Sequence, residues 1–448
     1  MKSESQTNIL ENTSLLNKLK NTVNDLFNKG AFHILVGNLV TKFVTFFGSI
    51  FVSRILTKVN MGLLTYMENW IGYAIIFSGF GMANVMLRYG VLSKSREEHY
   101  GIFLFVIKRS IIIDVFLIII FITVISIFPH KDAYEIAVNL LPIFILYVPF
   151  QDLINDVQMN ERASFNNRRF AIISITSATL VVIARVVGAW IDALTGVIVG
   201  IVITQLFIAI LLLYSTKSHY FSNIKALMPD EKTKKSATSY GFQYMITNGL
   251  WSLFMLMDIF LLANLLGSPS VVADYKIASA FPVNMAIFSG AIGVFVTPYF
   301  VQNEENDKWI VTNYIKTLFG TVAILLPVSI GLIILTKPLI WIFGTQYYNT
   351  IPLMRVITLA YFIENVFRFP IANILAAIGM VRVNMIISIC GFVIKLILNI
   401  IFIPLYGVYA LPINSIIVQI LMGIALFVVF NKRYRVLKYL FKSLNNRA

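Results

Sequence analysis

Asn38, Lys42, Thr45, Ser49 and Ser53 follow one another at intervals of 4, 3, 4 and 4 within an otherwise apolar stretch. Those intervals place all five on one face of a helix. Lys42 lies about eleven residues into the stretch, or roughly 16 Å at the helical rise, too deep for its ammonium to reach either headgroup layer easily if the helix crosses a bilayer. It must then meet water, a carboxylate or a substrate. Burying such a charge costs at least about 2.5 to 3.5 kcal/mol on insertion scales, so it reads as functional by default, with a structural ion pair as the alternative. A second stripe, Thr247, Trp251, Phe254 and Asp258, falls on Asn38, Lys42, Thr45 and Ser49 when 209 is subtracted from each number. The two stripes are symmetry-related candidates for the wall of a cavity.

Asp258 is the leading acidic candidate, because a carboxylate in a low-dielectric cavity can take up a proton or bind sodium. Pairing with Lys42 is its structural alternative. Glu68 lies at comparable depth and is a second ion-coupling candidate. Lys395, about nine residues before Pro404, is also deep, whereas Arg185 and Lys276 lie nearer the ends of their stretches, where they can snorkel in part. Glu364 and Arg368, four apart with the acid first, read as a salt bridge within one helix, and Arg355 as snorkelling outward. The four histidines at 33, 99, 130 and 219 are too dispersed for a local metal motif, and Cys390 is the single cysteine, so neither a metal, an intrachain disulfide nor any other cofactor is expected. The stretch from Ser78 to Asn84, SGFGMAN, lacks the third glycine of a dinucleotide loop and lies in an apolar run, so its glycines are assigned to close helix packing.

The elements that must carry these residues are membrane helices. Of 448 residues, 58% are hydrophobic and 13% charged, about half the charge usual for soluble domains. Unbroken apolar runs such as Val115 to Phe128 exclude the period-two alternation of a β-barrel. Spans are expected near residues 31–56, 60–87, 106–128, 134–156, 169–191, 193–214, 239–266, 270–300, 310–335, 350–377, 383–404 and 407–430, which makes twelve. Pro282, Pro298, Pro327, Pro370 and Pro404 lie within or at the ends of these runs, where they can kink a helix. The same shift of 209 aligns Tyr66 with Tyr275 and Gly81 with Gly290, so the chain reads as a duplication with two copies in one orientation.

The fold class is therefore all-α and polytopic, with two pseudo-symmetric six-helix lobes around a central cavity. The expected organisation is an amphipathic surface segment at 1–30, a first lobe at 31–214, a basic linker at 215–238, a second lobe at 239–430 and a basic tail at 431–448. Leu15, Leu16, Leu19, Val23, Leu26 and Phe27 give the first of these its apolar face. The formal charge of +15 collects in alternate loops, for example at Arg162, Arg168 and Arg169, and again at Lys232, Lys234 and Lys235. That distribution is a topology signal and excludes a nucleic-acid-binding domain; it places the chain in the cytoplasmic membrane with both termini in the cytoplasm.

Three stretches resemble the polysaccharide-transport branch of the multidrug/oligosaccharidyl-lipid/polysaccharide flippase superfamily, the Wzx-type flippases. They are GNLVTKFVTFFGSIFVSRILTKVNMGLLTY running into FSGFGMANVMLRYG, then MDIFLLANLLGSPSVVADYKIASAF with its later VTPYF, and LILNIIFIPLYGVYALPINSIIVQIL. The resemblance implies a MATE-like fold working by alternating access, in which spans one, two, seven and eight line the cavity. It also implies a substrate, undecaprenyl-diphosphate-linked oligosaccharide, moved to the outer leaflet for a polysaccharide polymerase machinery. By analogy of position, Lys42, Lys276, Arg185 and Lys395 neutralise the diphosphate or acidic sugars, beside Asn38, Thr45 and Ser49. The same superfamily includes cation-coupled multidrug exporters, which would use Asp258 and Glu68 for a proton or sodium. A membrane polymerase or ligase is a third class, disfavoured because every expected outer loop is short.

Overall fold

The computed structural model describes residues 31–436; the expected amphipathic segment at 1–30 and the end of the basic tail lie outside the described residues. All regular structure among the described residues is helical, as a chain surrounded by lipid requires, since only a helix or a closed barrel pairs its own backbone. The helices are α1 (Ala31–Ile55), α2 (Lys58–Phe77), α3 (Met82–Leu92), α4 (Arg96–Ile127), α5 (Glu135–Phe144), α6 (Tyr147–Ala163), α7 (Asn167–Tyr220) and α8 (Glu231–Leu266). They continue with α9 (Pro269–Ser279), α10 (Ala286–Gln302), α11 (Asp307–Ile334), α12 (Thr336–Phe343), α13 (Ile351–Ile363), α14 (Phe369–Ala377), α15 (Val381–Tyr406) and α16 (Ala410–Tyr434).

Among the described residues eight helical stretches are long and apolar enough to cross a membrane, and two bent pairs bring the number to ten. Two of the eight are 54 residues long, about 80 Å if straight, far more than a hydrocarbon core of about 30 Å can hold. Both turn back. The first, α7, reverses at Asp192 and at Ala193, whose φ is 40°. Its arms touch through glycine, for a Cβ on Gly188 would collide with the Gly196 carbonyl and one on Gly200 would press on Ala184. The second reverses at Gly407, with φ 61°, which brings Asn399 opposite Asn414 and Gly391 opposite Met422. Taken as two crossings each, these stretches agree with twelve spans.

The helices also run past the apolar limits read from sequence. α4 starts at Arg96 and not near 106, because Ser95 caps it by accepting a hydrogen bond from the Glu98 amide at 3.2 Å. The fourth span is two helices, α5 and α6, with Pro142 inside the first; a proline removes one backbone donor and weakens the turn before it. The glycines of SGFGMAN do more than allow close packing. They form a turn of 3₁₀ helix, Ser78–Gly81, between α2 and α3, where Gly79, Phe80 and Gly81 have φ of 52°, 45° and 71°. Gly81 keeps the packing role as well, since a Cβ there would press on the Gly241 carbonyl.

The chain divides into two compact units. The first comprises residues up to Ile55, Ile71–Pro129 and Val138–Leu253. Within it α1 lies along α7, with Gly37 against Ala171 and Gly48 against Val182, so that the two backbones approach closely. Met82, Val85, Phe103, Val106 and Val157 form part of its core. The second unit comprises Leu56–Trp70, His130–Ala137 and the chain from Phe254 onward. Gly62 on α2 meets the Pro269 backbone at the start of α9, and Phe300, Ile310, Leu375 and Phe430 are core residues of this unit. Many large apolar side chains are exposed, including Phe43, Phe47 and Phe51 on α1 and Val115, Phe116 and Ile119 on α4. Such rows suit a lipid belt, which makes this a multi-pass membrane protein.

Candidate functional site

The polar stripe of α1 keeps one face. Asn38, Lys42 and Thr45 are exposed, Ser49 is half-buried and Ser53 buried. The hydroxyls of Thr45, Ser49 and Ser53 donate to backbone carbonyls one turn earlier, at Lys42 or Thr41, Phe46 and Ile50. Thr45 thereby keeps its lone pairs for the exposed face that also carries Lys42, whereas Ser53 is buried. Leu35, Leu39, Phe43, Phe47 and Phe51 form a separate exposed apolar face. An exposed polar stripe and an exposed apolar stripe on one helix need different solvents, so the first belongs to water or a ligand and the second to lipid. Arg185 sits part-buried on α7, one turn beyond the Val182 that packs on Gly48.

Asp258 takes its partner from its own unit. The Lys395 ammonium lies 2.9 Å from Asp258 Oδ2, with side chains 7% and 13% exposed. Tyr275 donates its hydroxyl to Oδ2 at 3.1 Å, Asn399 its Nδ2 to Oδ1 at 3.3 Å, and Asn414 an amide hydrogen to Asn399 Oδ1 at 3.0 Å. The Phe254 ring is 4.9 Å from the Lys395 nitrogen, a cation–π contact that adds to the neutralisation. Lys395 reaches this place because Gly391, Lys395, Asn399 and Ile403 recur every four residues and form the buried edge of α15. One turn of π-helix, Glu364–Arg368, follows α13. Its Glu364 and Arg368 are 3.6 Å apart, and Arg368 Nη2 donates to Ser388 at 3.2 Å. Glu364 and Tyr361 also border the Asp258 cluster. The arrangement is a buried network whose charges cancel.

Glu68 and Lys276 are brought together at 3.8 Å, with the lysine side chain 42% exposed. A neighbouring set in the same unit joins Lys58 to Asp274 at 2.7 Å, and Asn349 donates to Asp274 at 3.0 Å. Thr247 on α8 is exposed and bonds the Gln243 carbonyl at 2.9 Å; the Trp251 side chain lies outside the described residues. No group of three or more histidine, cysteine or acidic side chains could hold a metal ion among the described residues.

Sequence reasoning missed two features. Asn399, Asn414 and Tyr275 complete the Asp258 network, and the four-residue repeat of Gly391, Lys395 and Asn399 is the signal that pointed to them. The second feature is a set of three acids in the first unit, Asp114 on α4 and Asp152 and Asp156 on α6. Asp114 and Asp156 are each 1% exposed. Their signal was the four-residue step from Asp152 to Asp156, which an expected span ending at 156 placed at a membrane boundary.

The model of a family described as polysaccharide biosynthesis protein matches residues 27–304. No curated protein matches the chain. Among solved structures, an inward-facing multidrug resistance MATE family transporter of the MOP superfamily is similar at TM-score 0.71 and 15% identity, covering 89% of this chain and 96% of the other. The lipid II flippase MurJ in an inward closed conformation is similar at TM-score 0.68 and 15% identity, covering 88% and 87%. A MOP superfamily transporter from Pyrococcus furiosus, reported with a binding pocket of reverse polarity, follows at TM-score 0.57 and 14% identity, covering 92% and 95%. At such identities the likeness is one of fold.

Proposed function

The chain belongs to the polysaccharide biosynthesis protein family, and from that premise we propose that it is a flippase for undecaprenyl-diphosphate-linked oligosaccharide repeat units. It moves them from the cytoplasmic to the outer leaflet of the cytoplasmic membrane by alternating access, for cell-surface polysaccharide synthesis. The observation that carries this reading is the α1 stripe, where an exposed Lys42 sits among Asn38, Thr45 and Ser49 in the middle of a span. A diphosphate needs a cation and hydrogen-bond donors to leave water, and charge-assisted bonds of this type are the strong ones. Lys276, part-exposed beside Glu68, and Arg185 are further cations for the same cargo. Lys395 serves this reading less directly, because its ammonium is committed to Asp258. The fold shared with a lipid II flippase supports a lipid-linked cargo, and the basic inner loops support termini in the cytoplasm.

A multidrug exporter is the second reading, favoured by the fold shared with a MATE transporter. It asks for an acid free to bind a coupling ion, whereas Asp258 and Glu68 each lie beside a lysine. The test is movement of a fluorescent undecaprenyl-diphosphate oligosaccharide across proteoliposomes that contain the full chain. Movement is expected to need the protein, to be lost in Lys42→Ala and to persist in Lys42→Arg. Wild-type movement in Lys42→Ala would remove the stripe from the site, and exchange of a cationic drug with no lipid movement would establish the exporter.

A further inference from the structure

The three acids of the first unit differ from the other buried charges. No lysine, arginine or histidine is paired with Asp114, Asp152 or Asp156 among the described residues. A neutral donor reaches each of the three. Gly79 N–H, in the left-handed turn between α2 and α3, donates to Asp114 Oδ1 at 3.0 Å. Ser78 Oγ lies 3.0 Å from Asp152 Oδ1, and Ser110 on α4 donates to Asp156 Oδ2 at 2.9 Å. Beside Asp152, Asn155 Oδ1 accepts from Gln151 Nε2 at 3.0 Å. Gln151 Oε1 accepts from Tyr147 at 3.0 Å and from Gln205 on α7 at 2.8 Å. Tyr147 is the remaining titratable neighbour.

These donors reach Asp114 Oδ1, Asp152 Oδ1 and Asp156 Oδ2, and one buried oxygen of the cluster has none. Asp114 Oδ2 is without a hydrogen-bond donor, in a residue 1% exposed, and the two carboxyls converge on Gly79, whose amide bonds Asp114 Oδ1 and whose α-carbon faces Asp152 Oδ2. Two carboxylate oxygens cannot bond each other without a hydrogen between them, and three uncompensated negative charges in a low-dielectric interior are far more costly than one bound cation. The ligand that fits has one positive charge and needs no coordination shell.

We propose that Asp114, Asp152 and Asp156 form a proton-binding site, with the proton shared between Asp114 and Asp152 against the Ser78–Gly81 turn. Uptake adds a proton to one carboxylate oxygen, and release leaves two facing carboxylates. The Gly79 amide, which bonds Asp114, ties this site to the break in the second span.

The test is infrared difference spectroscopy of the full-length protein in lipid nanodiscs, titrated with pH in sodium-free buffer. Wild type is expected to show a buried protonated-carboxyl band that bleaches on alkalisation and exchanges in D₂O. The band should be lost in D152N and in D114N. Ser110→Ala, which only deletes one donor, is expected to move the band in frequency without abolishing it, and covers the case in which the Asp variants fail to fold. A wild type with no such band, or a band unchanged in D152N, D114N and Ser110→Ala alike, overturns the site. Bleaching by sodium at fixed pH overturns the proton as its ligand.

Discussion

In the second unit Asp258 is held by Lys395, Tyr275 and Asn399, and the acid Glu364 has Arg368 one turn later on the same strand of chain. In the first unit Asp152 and Asp156 stand at the same four-residue step, yet the second position is an acid and no cation is paired with either. The membrane makes this difference matter, because an ion there cannot borrow its counter-charge from bulk water. A unit that carries its own counter-charge is electrically complete in one state. In the proposed site the first unit would take up its positive charge as a proton and release it again, which is what a response to an ion gradient requires. The proton site proposed above therefore stands beside Glu68 and Asp258, the ion-coupling candidates expected from sequence, on three acids that the sequence reading passed over.

The neutral network of the second unit depends most directly on Lys395. Lys395→Ala should leave Asp258 as an uncompensated buried charge and cost about 3 to 5 kcal/mol, whereas the double change to Asp258→Asn with Lys395→Met should recover most of it. Thermal unfolding in detergent reads both, and equal losses in the two proteins would show that charge balance is not what holds this network. A smaller loss is expected from Gly79→Ala. A φ of 52° costs an L-residue about 1 to 2 kcal/mol, and the new methyl would also press on Asp152 Oδ2. If the melting temperature is unchanged, the turn is not under the constraint inferred from its backbone.

Smaller still is Asp152→Asn, which keeps the shape, supplies a hydrogen and removes one of three like charges. Its stability should stay within about 1 kcal/mol of wild type, and a loss of the Lys395→Ala size would mean that a counter-charge had been overlooked. The smallest effect belongs to a carboxylate in water. Asp230 caps the start of α8 through Thr233, whose side chain and amide both hold its carboxyl below the usual aspartate range. A depressed carboxyl contributes stability above its unfolded-state value, and that contribution is lost as pH falls through the folded one. The protection factor of the amides in the first turn of α8, which divides out the slower intrinsic exchange at low pH, should therefore drop on acidification, and Asp230→Asn, still a good cap, should flatten that response.

The sequence made the all-helical membrane fold plain because apolar length is a coarse, one-dimensional quantity. It also placed Lys42, Asp258 and Lys395 within spans, since a charge in a 20-residue apolar run stands out. Pairing was less legible. That Asp258 meets Lys395, 137 positions away, depends on which edges of α8 and α15 face each other, and helical periodicity alone does not specify a partner. The Ser78–Gly81 turn was hidden for another reason: glycine in a membrane helix permits both close packing and positive φ, and only the backbone tells which is used. The acids at Asp152 and Asp156 were lost to a boundary drawn where hydropathy falls, although α6 continues to Ala163.

The turn that joins the two arms of α7 uses almost no chain, with Asp192 and Ala193 the two residues outside helical geometry and Gly188 and Gly196 in backbone contact. Two apolar rods linked so tightly have no slack to be handled one at a time during biosynthesis. They would enter the bilayer as a preassembled hairpin.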